Sequence, residues 1–305
     1  MNKILVIMSA YNGEKYLKEQ IDSILNQNGV DVTLLVRDDG SSDRTPEILK
    51  EYESKEKRVR CIYGENLGFR RSFYDTLVGC EDTYDYYAFS DQDDVWNDNK
   101  LLNAVRAIEN QDNKVALYTT GLHVVDENLN FMYDNTFKNI RISYGSALSR
   151  QRLAGCTMVF TKELTGYCKK FRITEEMGNT ISHDAAVYYI CLLVGGKVIF
   201  TPESDINFRR HQSTVTEHGK GFGKRVGSVL NIFSKNSQRR FLQNKYLYEV
   251  FEKDICGEVR PLAEKILTYK DSFGKTLSFA FDKRKRCGLF SVDFIDFFAI
   301  LTRNY

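Results

Sequence analysis

Proline is scarce in this chain of 305 residues, with only 3, and tryptophan occurs once. So little proline excludes a polyproline or proline-rich linker protein, and 42% apolar residues suffice for a substantial core in one or two domains. Net charge is nearly absent. The 43 Lys and Arg against 41 Asp and Glu leave +2, which excludes general coating of nucleic acid while leaving room for local basic patches. No apolar run approaches the roughly 18 residues that suggest a membrane span. The 7 cysteines form no C-x-x-C pair and no cluster with histidine, so structural zinc is not expected. Cys156, Cys168 and Cys191 lie in apolar or helical contexts and read as buried thiols. The odd count and the lack of a signal-peptide pattern lead to the expectation of a reducing cytoplasm. Several catalytic loops are missing too: there is no G-x-x-x-x-G-K-[ST], no G-x-S-x-G and no H-E-x-x-H. Gly219, Gly221 and Gly223 are interleaved with Lys220 and Lys224 and follow no strand, which suits a basic loop better than a dinucleotide fingerprint.

What is present is an alternation of short apolar runs and helical patterns, the mark of a mainly parallel sheet covered by helices. Ile4 to Met8 is a near-continuous apolar strand, as expected where both sheet faces are covered. Leu17, Ile21, Ile24 and Leu25 recur at helical spacing and predict a helix over 14–27. Strands are expected at Val32–Val36, Val59–Tyr63 and 85–90, and helices at 46–55, 69–80 and 98–110. Thr45-Pro46 supplies an N-cap and a first-turn proline for the second helix. Further on, 115–121, 153–160 and Val198–Phe200 read as strands and 184–194 as an apolar helix. Beyond about 215 the pattern becomes basic and helical.

Acids gather where strands should end. Phe89-Ser90-Asp91-Gln92-Asp93-Asp94-Val95-Trp96 places three carboxylates within four residues, directly after an apolar run. Asp38-Asp39-Gly40-Ser41-Ser42-Asp43 repeats the arrangement, and Ser182-His183-Asp184 stands at a helix start. Carboxyl ends of strands line the ligand crevice of open α/β sheets. Like charges repeated there are costly unless a cation or a donor-rich ligand lies among them. Hard carboxylate oxygens suit magnesium or manganese, which share their shell with substrate phosphates. An EF-hand is excluded, because its central glycine and terminal glutamate are missing.

Four ordered motifs, Ser9-Ala10-Tyr11-Asn12-Gly13-Glu14, Arg37-Asp38-Asp39-Gly40-Ser41-Ser42-Asp43, Asn66-Leu67-Gly68 and Ser90-Asp91-Gln92-Asp93-Asp94-Val95-Trp96, resemble glycosyltransferase family 2. The last of them is similar to its rhamnosyltransferase-like branch. The resemblance spans residues 1–125, weakens towards 215 and is absent beyond. It implies the A-type nucleotide-diphospho-sugar transferase fold, α/β with a mainly parallel central sheet flanked by helices, over a catalytic region 1–215. A mostly helical, basic and amphipathic region 216–305 would follow.

Carried onto these positions, the resemblance implies that Ser9, Tyr11, Glu14, Asp39, Asp91 and Arg209 bind the donor. Tyr11 would stack on a pyrimidine and Asp39 would accept a hydrogen bond from its N–H. Asp91 and Asp93 would hold Mg2+ or Mn2+, with His211 as a further metal or phosphate contact, and Arg209 would close over the diphosphate. Asp94 would be a neighbour of the metal or a cap of the helix that begins near 97. Asp184 would be the catalytic base of an inverting transfer, its alternative role being a helix N-terminal carboxylate. Gly155-Cys156 would leave room beneath an acceptor sugar. The implied reaction moves a sugar, L-rhamnose from dTDP-rhamnose foremost and otherwise from a UDP-sugar, to a saccharide or lipid-linked acceptor in surface-polysaccharide synthesis. Two rivals are a nucleotidyltransferase, which lacks support because no N-terminal glycine-rich triphosphate loop is present, and a noncatalytic nucleotide-sugar-binding or scaffold protein that keeps the fold.

The tail allows two readings. Lys220, Lys224, Arg225, Lys235, Arg239 and Arg240, and then Lys283-Arg284-Lys285-Arg286, lie near apolar segments, the second just before Leu289 to Leu301. Such a pairing suits a helix lying in an anionic membrane surface at the inner face of the cell membrane, or a helix docked on the catalytic region with solvated lysines.

Overall fold

The computed structural model describes residues 1–137, 140–175, 177, 180–211 and 238–305. The chain divides into two compact units, Met1–Lys138 with Leu153–Cys191 and Gly196–His211, and Asn139–Arg152 with Leu192–Gly195 and Gln212–Tyr305.

The first unit is built on a seven-stranded sheet in the order β10-β6-β9-β4-β1-β2-β3. Its strands are β1 (Lys3–Ala10), β2 (Asp31–Asp38), β3 (Val59–Tyr63), β4 (Tyr86–Ser90), β6 (Ala116–Thr120), β9 (Val159–Thr161) and β10 (Lys197–Thr201). β1 runs parallel to β2 and β4, β2 to β3, and β6 to β10, while β9 is antiparallel to both β4 and β6. Central position explains composition. All five residues of β4 are buried, as are Ile4 to Met8 of β1, because helices cover both faces.

Those helices follow the sequence pattern closely. α1 (Leu17–Leu25) buries Leu17, Gln20, Ile21 and Ile24, and α2 (Thr45–Lys55) starts at the Thr45-Pro46 pair. α3 (Phe69–Gly79) begins after Gly68, whose φ of 76° is a backbone conformation that favours glycine. α4 (Lys100–Glu109) buries Leu101, Ala104, Val105 and Ile108 at helical spacing. A second sheet, β5 (Val95–Trp96), β11 (Ile206–Arg209), β7 (Leu122–Val125) and β8 (Phe131–Asn135), runs in the order β5-β11-β7-β8. The sequence did not announce it. Its strands have two to five residues, and their pairing is set by long-range contacts.

The expected strand over 153–160 shrinks to β9. A single 3₁₀ turn, Gly155–Thr157, precedes it, and Thr157 Oγ1 donates to the Ala154 carbonyl at 2.7 Å, so this segment bends before it can pair. α6 (Lys162–Cys168) and α7 (His183–Leu193), the latter as far as Cys191, complete the first unit's helices. Cys156, Cys168 and Cys191 are buried.

The second unit contains α5 (Tyr144–Ser149), α8 (Arg239–Phe251), α9 (Arg260–Thr268), α10 (Phe273–Ala280) and α11 (Phe290–Leu301). The sequence reading placed 139–152 and 192–195 with the catalytic region, whereas the division puts both with the C-terminal helices. The reason is packing. Every residue of α5 is buried, Tyr144 donates to Asn244 at 3.0 Å, and Ser149 meets Asp296 at 2.5 Å. Residues 212–237, with Lys220, Lys224, Arg225 and Lys235, lie outside the described residues, as does the expected boundary at 215. Among the described residues, no helix is long and apolar enough to cross a membrane.

Candidate active site

Parallel register brings the acidic turns together. Ala10 pairs with Asp38, Asp38 with Tyr63, and Met8 with Ser90, so β1, β2, β3 and β4 all end on one edge of the sheet. Each following turn therefore opens at the same rim.

The turns are sewn to one another by hydrogen bonds between side chains and backbone groups. The Gln92 side chain accepts from the Tyr11 amide at 2.9 Å and donates to its carbonyl at 3.0 Å, completing the edge of β1 as another strand would. A methyl group at Gly13 would come within 2.2 Å of Gln92 Oε1, so that position admits only hydrogen without displacing the amide. Asn12 accepts from the Ser42 amide at 2.8 Å, and Gly13 donates to Thr45 Oγ1 at 2.8 Å. Glu14, expected to touch the donor, is exposed and accepts from the Arg44 amide at 3.0 Å, where it ties two loops together. Ser9 shares a 2.6 Å hydrogen bond with Ser72 of α3, and the Tyr11 ring stands 48% exposed at the rim.

Asp39 is buried. Its carboxylate accepts from the Leu67 amide at 3.0 and 3.1 Å and from the Gly68 amide at 2.9 Å, and lies 3.3 Å from the Arg37 guanidinium. This residue fixes the Asn66-Leu67-Gly68 turn against the end of β2, a role that its expected contact with a base did not anticipate.

The third turn holds the charge. Asp91 is half-buried, and burial, with Asp93 and Asp184 nearby, raises its carboxyl to about 7. Asp94 is fully buried. One oxygen accepts from the Arg209 amide at 3.0 Å while the other has no hydrogen-bond partner, and burial drives its carboxyl well above the ordinary range. Asp94 thus caps no helix; it anchors β11. Asp93 meets His211 Nε2 at 2.7 Å, and the His211 ring lies 5.0 Å from that of Tyr16.

Arg209, expected over a diphosphate, has other partners. Its guanidinium donates to the Asp93 carbonyl at 2.8 Å, to the Glu127 carbonyl at 2.6 Å and to Glu19, and stacks 4.4 Å from the Tyr16 ring. With 3% exposure it clasps the acidic turn from behind, and the donor-facing role expected of it is not what these contacts serve. Trp96 is buried in the small sheet, as a packing residue.

α7 delivers Asp184 to the same rim. His183 beside it stacks on Phe73 at 4.3 Å and meets the Phe89 edge at 4.9 Å, which pins the helix start to α3 and β4. The Asp184 carboxylate accepts from Ser182 Oγ and from the Ala185 amide at 2.8 Å. Gly155 passes beneath. A methyl group there would come 2.8 Å from His183 Nε2 and 3.1 Å from Asp184 Cβ, so the missing side chain makes room for this pair.

Burial lowers the His183 imidazole to about 4. The unfolded chain, with a histidine near 6.5, therefore binds more protons between about 6.5 and 4, and stability contributed by the neutral ring is lost as pH falls through that window. Comparing parent and His183→Gln by urea unfolding should show a difference that shrinks by up to about 3 kcal/mol between pH 7 and pH 4. A constant difference would remove this linkage.

The residues present fit a divalent cation. Ligand atoms of Asp91, Asp94 and Cys156 lie within 4.8 Å of one another, and an orphaned buried Asp94 oxygen and a carboxyl held near 7 by burial and its acidic neighbours are what a cation would relieve. The Cys156 thiol, pushed well above its usual range by burial, suits such a hard ion poorly, so the carboxylates are the ligands of choice. Of the three expected ligands, Asp93 and His211 meet each other and Asp91 adjoins Asp93.

A family model described as Glycosyl transferase family 2 matches residues 5–172, more than half of the chain. A dTDP-rhamnosyl transferase, RfbG of Shigella flexneri, is 25% identical over 269 residues, covering 84% of this chain and 85% of that one. An uncharacterized glycosyltransferase of Rickettsia typhi is 24% identical over 257 residues, covering 79% and 78%. The crystal structure of S. aureus TarS 1–349 in complex with UDP-GlcNAc aligns over 98% of this chain and 90% of its own, with a TM-score of 0.57 at 16% identity, which shows a common fold.

Proposed function

The chain belongs to glycosyl transferase family 2 and is a glycosyltransferase, and from that premise we propose that it moves a sugar from a nucleoside-diphosphate donor to a saccharide or lipid-linked saccharide acceptor, with inversion and with a divalent cation. The carrying observation is the rim shared by the ends of β1, β2 and β4, where the carboxyl of Asp91, already raised by burial, also feels the charges of Asp93, two residues on, and of Asp184, from a remote part of the sequence. dTDP-L-rhamnose is the first donor in this reading, supported by the likeness to RfbG over most of both chains, and a UDP-sugar the second.

Asp184 takes the proton of the acceptor hydroxyl as that oxygen attacks the anomeric carbon, the step in which a positioned carboxylate helps most. Its backbone and Ser182 contacts hold one oxygen and orient the group. Asp91 and Asp93, with Asp94 behind them, would hold the magnesium or manganese, and His211, 2.7 Å from Asp93, would orient that carboxylate. A cation there supplies positive charge for the departing diphosphate. The exposed Tyr11 ring offers a face for the base, while Ser9, bonded to Ser72, and Asp39, bonded to the Leu67 and Gly68 amides, brace the strand ends at that rim. Arg209 and Glu14 act by fixing the loops.

Incubating the protein with a panel of nucleotide sugars and lipid-linked acceptors, followed by mass and anomeric analysis of products, tests the assignment. Transfer from dTDP-L-rhamnose with inverted anomeric configuration is expected. Retained configuration would overturn the role given to Asp184, and transfer from UDP-sugars alone would overturn the donor.

A further inference from the structure

The second unit carries an apolar surface of unusual make-up. On α11, Phe290, Phe294 and Phe298 recur every four residues with exposures of 84, 53 and 40%, and their rings touch in sequence at 5.9 and 4.8 Å. On and just beyond α10, Phe273 and Phe281 are exposed at 70 and 64% and lie on one face with Leu277 between them. The two stripes join where Phe281 meets Phe297 at 5.3 Å. At about 200 Å² per ring, the five exposed phenylalanines present on the order of 600 Å², at the upper end of what a monomer shows.

The helix is turned inside out. One of its two acids, Asp296, is buried beside Ala299 and Ile300 and paired with Arg240 at 2.8 Å and with Ser149, while Phe290, Phe294 and Phe298 face outwards. The three outward rings take no part in the unit's own core. Beside the rings, Lys283 and Arg286 are exposed, Arg284 is paired with Asp282 at 2.6 Å, and residues 270–305 hold seven Lys and Arg against four Asp, a net of +3.

We propose that this face of α10 and α11 inserts its phenylalanines into the headgroup region of an anionic lipid bilayer, with Lys283 and Arg286 meeting lipid phosphates. Exposed phenylalanine beside a basic fringe is the composition that lies in a membrane interface. Each basic residue near such a surface adds attraction that fades within a Debye length. Charge decides against a second copy of the chain as occupant, since pairing this face with itself would bring two positive segments together. The proposal does not depend on the transfer reaction.

Sedimentation of the full chain with phosphatidylcholine vesicles, with and without phosphatidylglycerol, tests it. Binding is expected to vesicles containing phosphatidylglycerol, to weaken as salt is raised, and to fall by about a hundredfold in Phe281→Ser/Phe290→Ser/Phe294→Ser. Lys283→Glu/Arg286→Glu, which leaves the rings in place, should lose the preference for the anionic lipid. No sedimentation of the parent chain, sedimentation unchanged by the three serines, or a stable dimer that the serines dissolve would each overturn the proposal.

Discussion

Asp184→Asn is expected to lower turnover by about 10²- to 10⁴-fold while leaving donor affinity as it was. The substitution keeps the volume of the side chain and its acceptance from the Ala185 amide, so the start of α7 should hold. What it removes is the group that can take a proton. A purely structural carboxylate at a helix N-terminus predicts something else, a loss of about 0.3–1 kcal/mol in stability and little change in rate. The two roles separate in one experiment. Steady-state kinetics, donor titration and thermal melting of the variant distinguish a lost base from a loosened helix, and unchanged turnover would remove Asp184 from the chemistry.

Asp91→Asn should produce opposite effects on activity and on the stability of the metal-free protein. Turnover falls by about 10³-fold or more, because a cation ligand contributes several kcal/mol of charge stabilisation. Metal-free stability rises by about 1–2 kcal/mol near pH 8, since burial and the charges of Asp93 and Asp184 oppose ionisation at that position. The sign follows from proton binding. A carboxyl raised to about 7 in the folded chain and near 4 when unfolded holds more protons when folded, so metal-free stability falls as pH rises through that range. The variant should flatten this slope, and manganese should stabilise the parent much more than the variant. A variant that is less stable than the parent at pH 8 without metal would contradict the crowding on which the site rests.

The sequence revealed the rim and concealed its supports. Apolar runs such as Ile4–Met8 and Tyr86–Phe89 are local signals, and the turn residues after them mark where parallel strands end. Parallel pairing then obliges the ends of β1, β2, β3 and β4, with Asp38, Asp39 and Asp91, to share an edge, so all four motif turns fall at one rim. α1, α2, α3 and α4 were visible for the same local reason. The small sheet was not, because β5 and β11 pair across more than a hundred residues and neither is long enough to show a period.

Side-chain roles followed the same division. Arg209 read as a phosphate ligand because guanidinium suits phosphate, yet Glu19, Asp93 and Glu127 occupy it. Asp39 and Glu14 likewise spend their oxygens on backbone amides of neighbouring turns. Gln92 carried no signal beyond its place between two acids, and only its paired bonds to Tyr11 reveal that it joins the first turn to the third. In the tail, the aromatic content of 289–301 was legible, but not that Asp296 points inward, nor that Phe273 and Phe281 extend the same face.

The gathering of acids around a cation that grips a nucleoside-diphosphate sugar is tested most directly by calorimetric titration of the full chain with dTDP-L-rhamnose, with and without manganese. Saturable binding only when manganese is present, retained in Asp184→Asn and lost in Asp91→Asn/Asp93→Asn, is the predicted result. Equal binding without manganese, unchanged by the paired substitution, would contradict it.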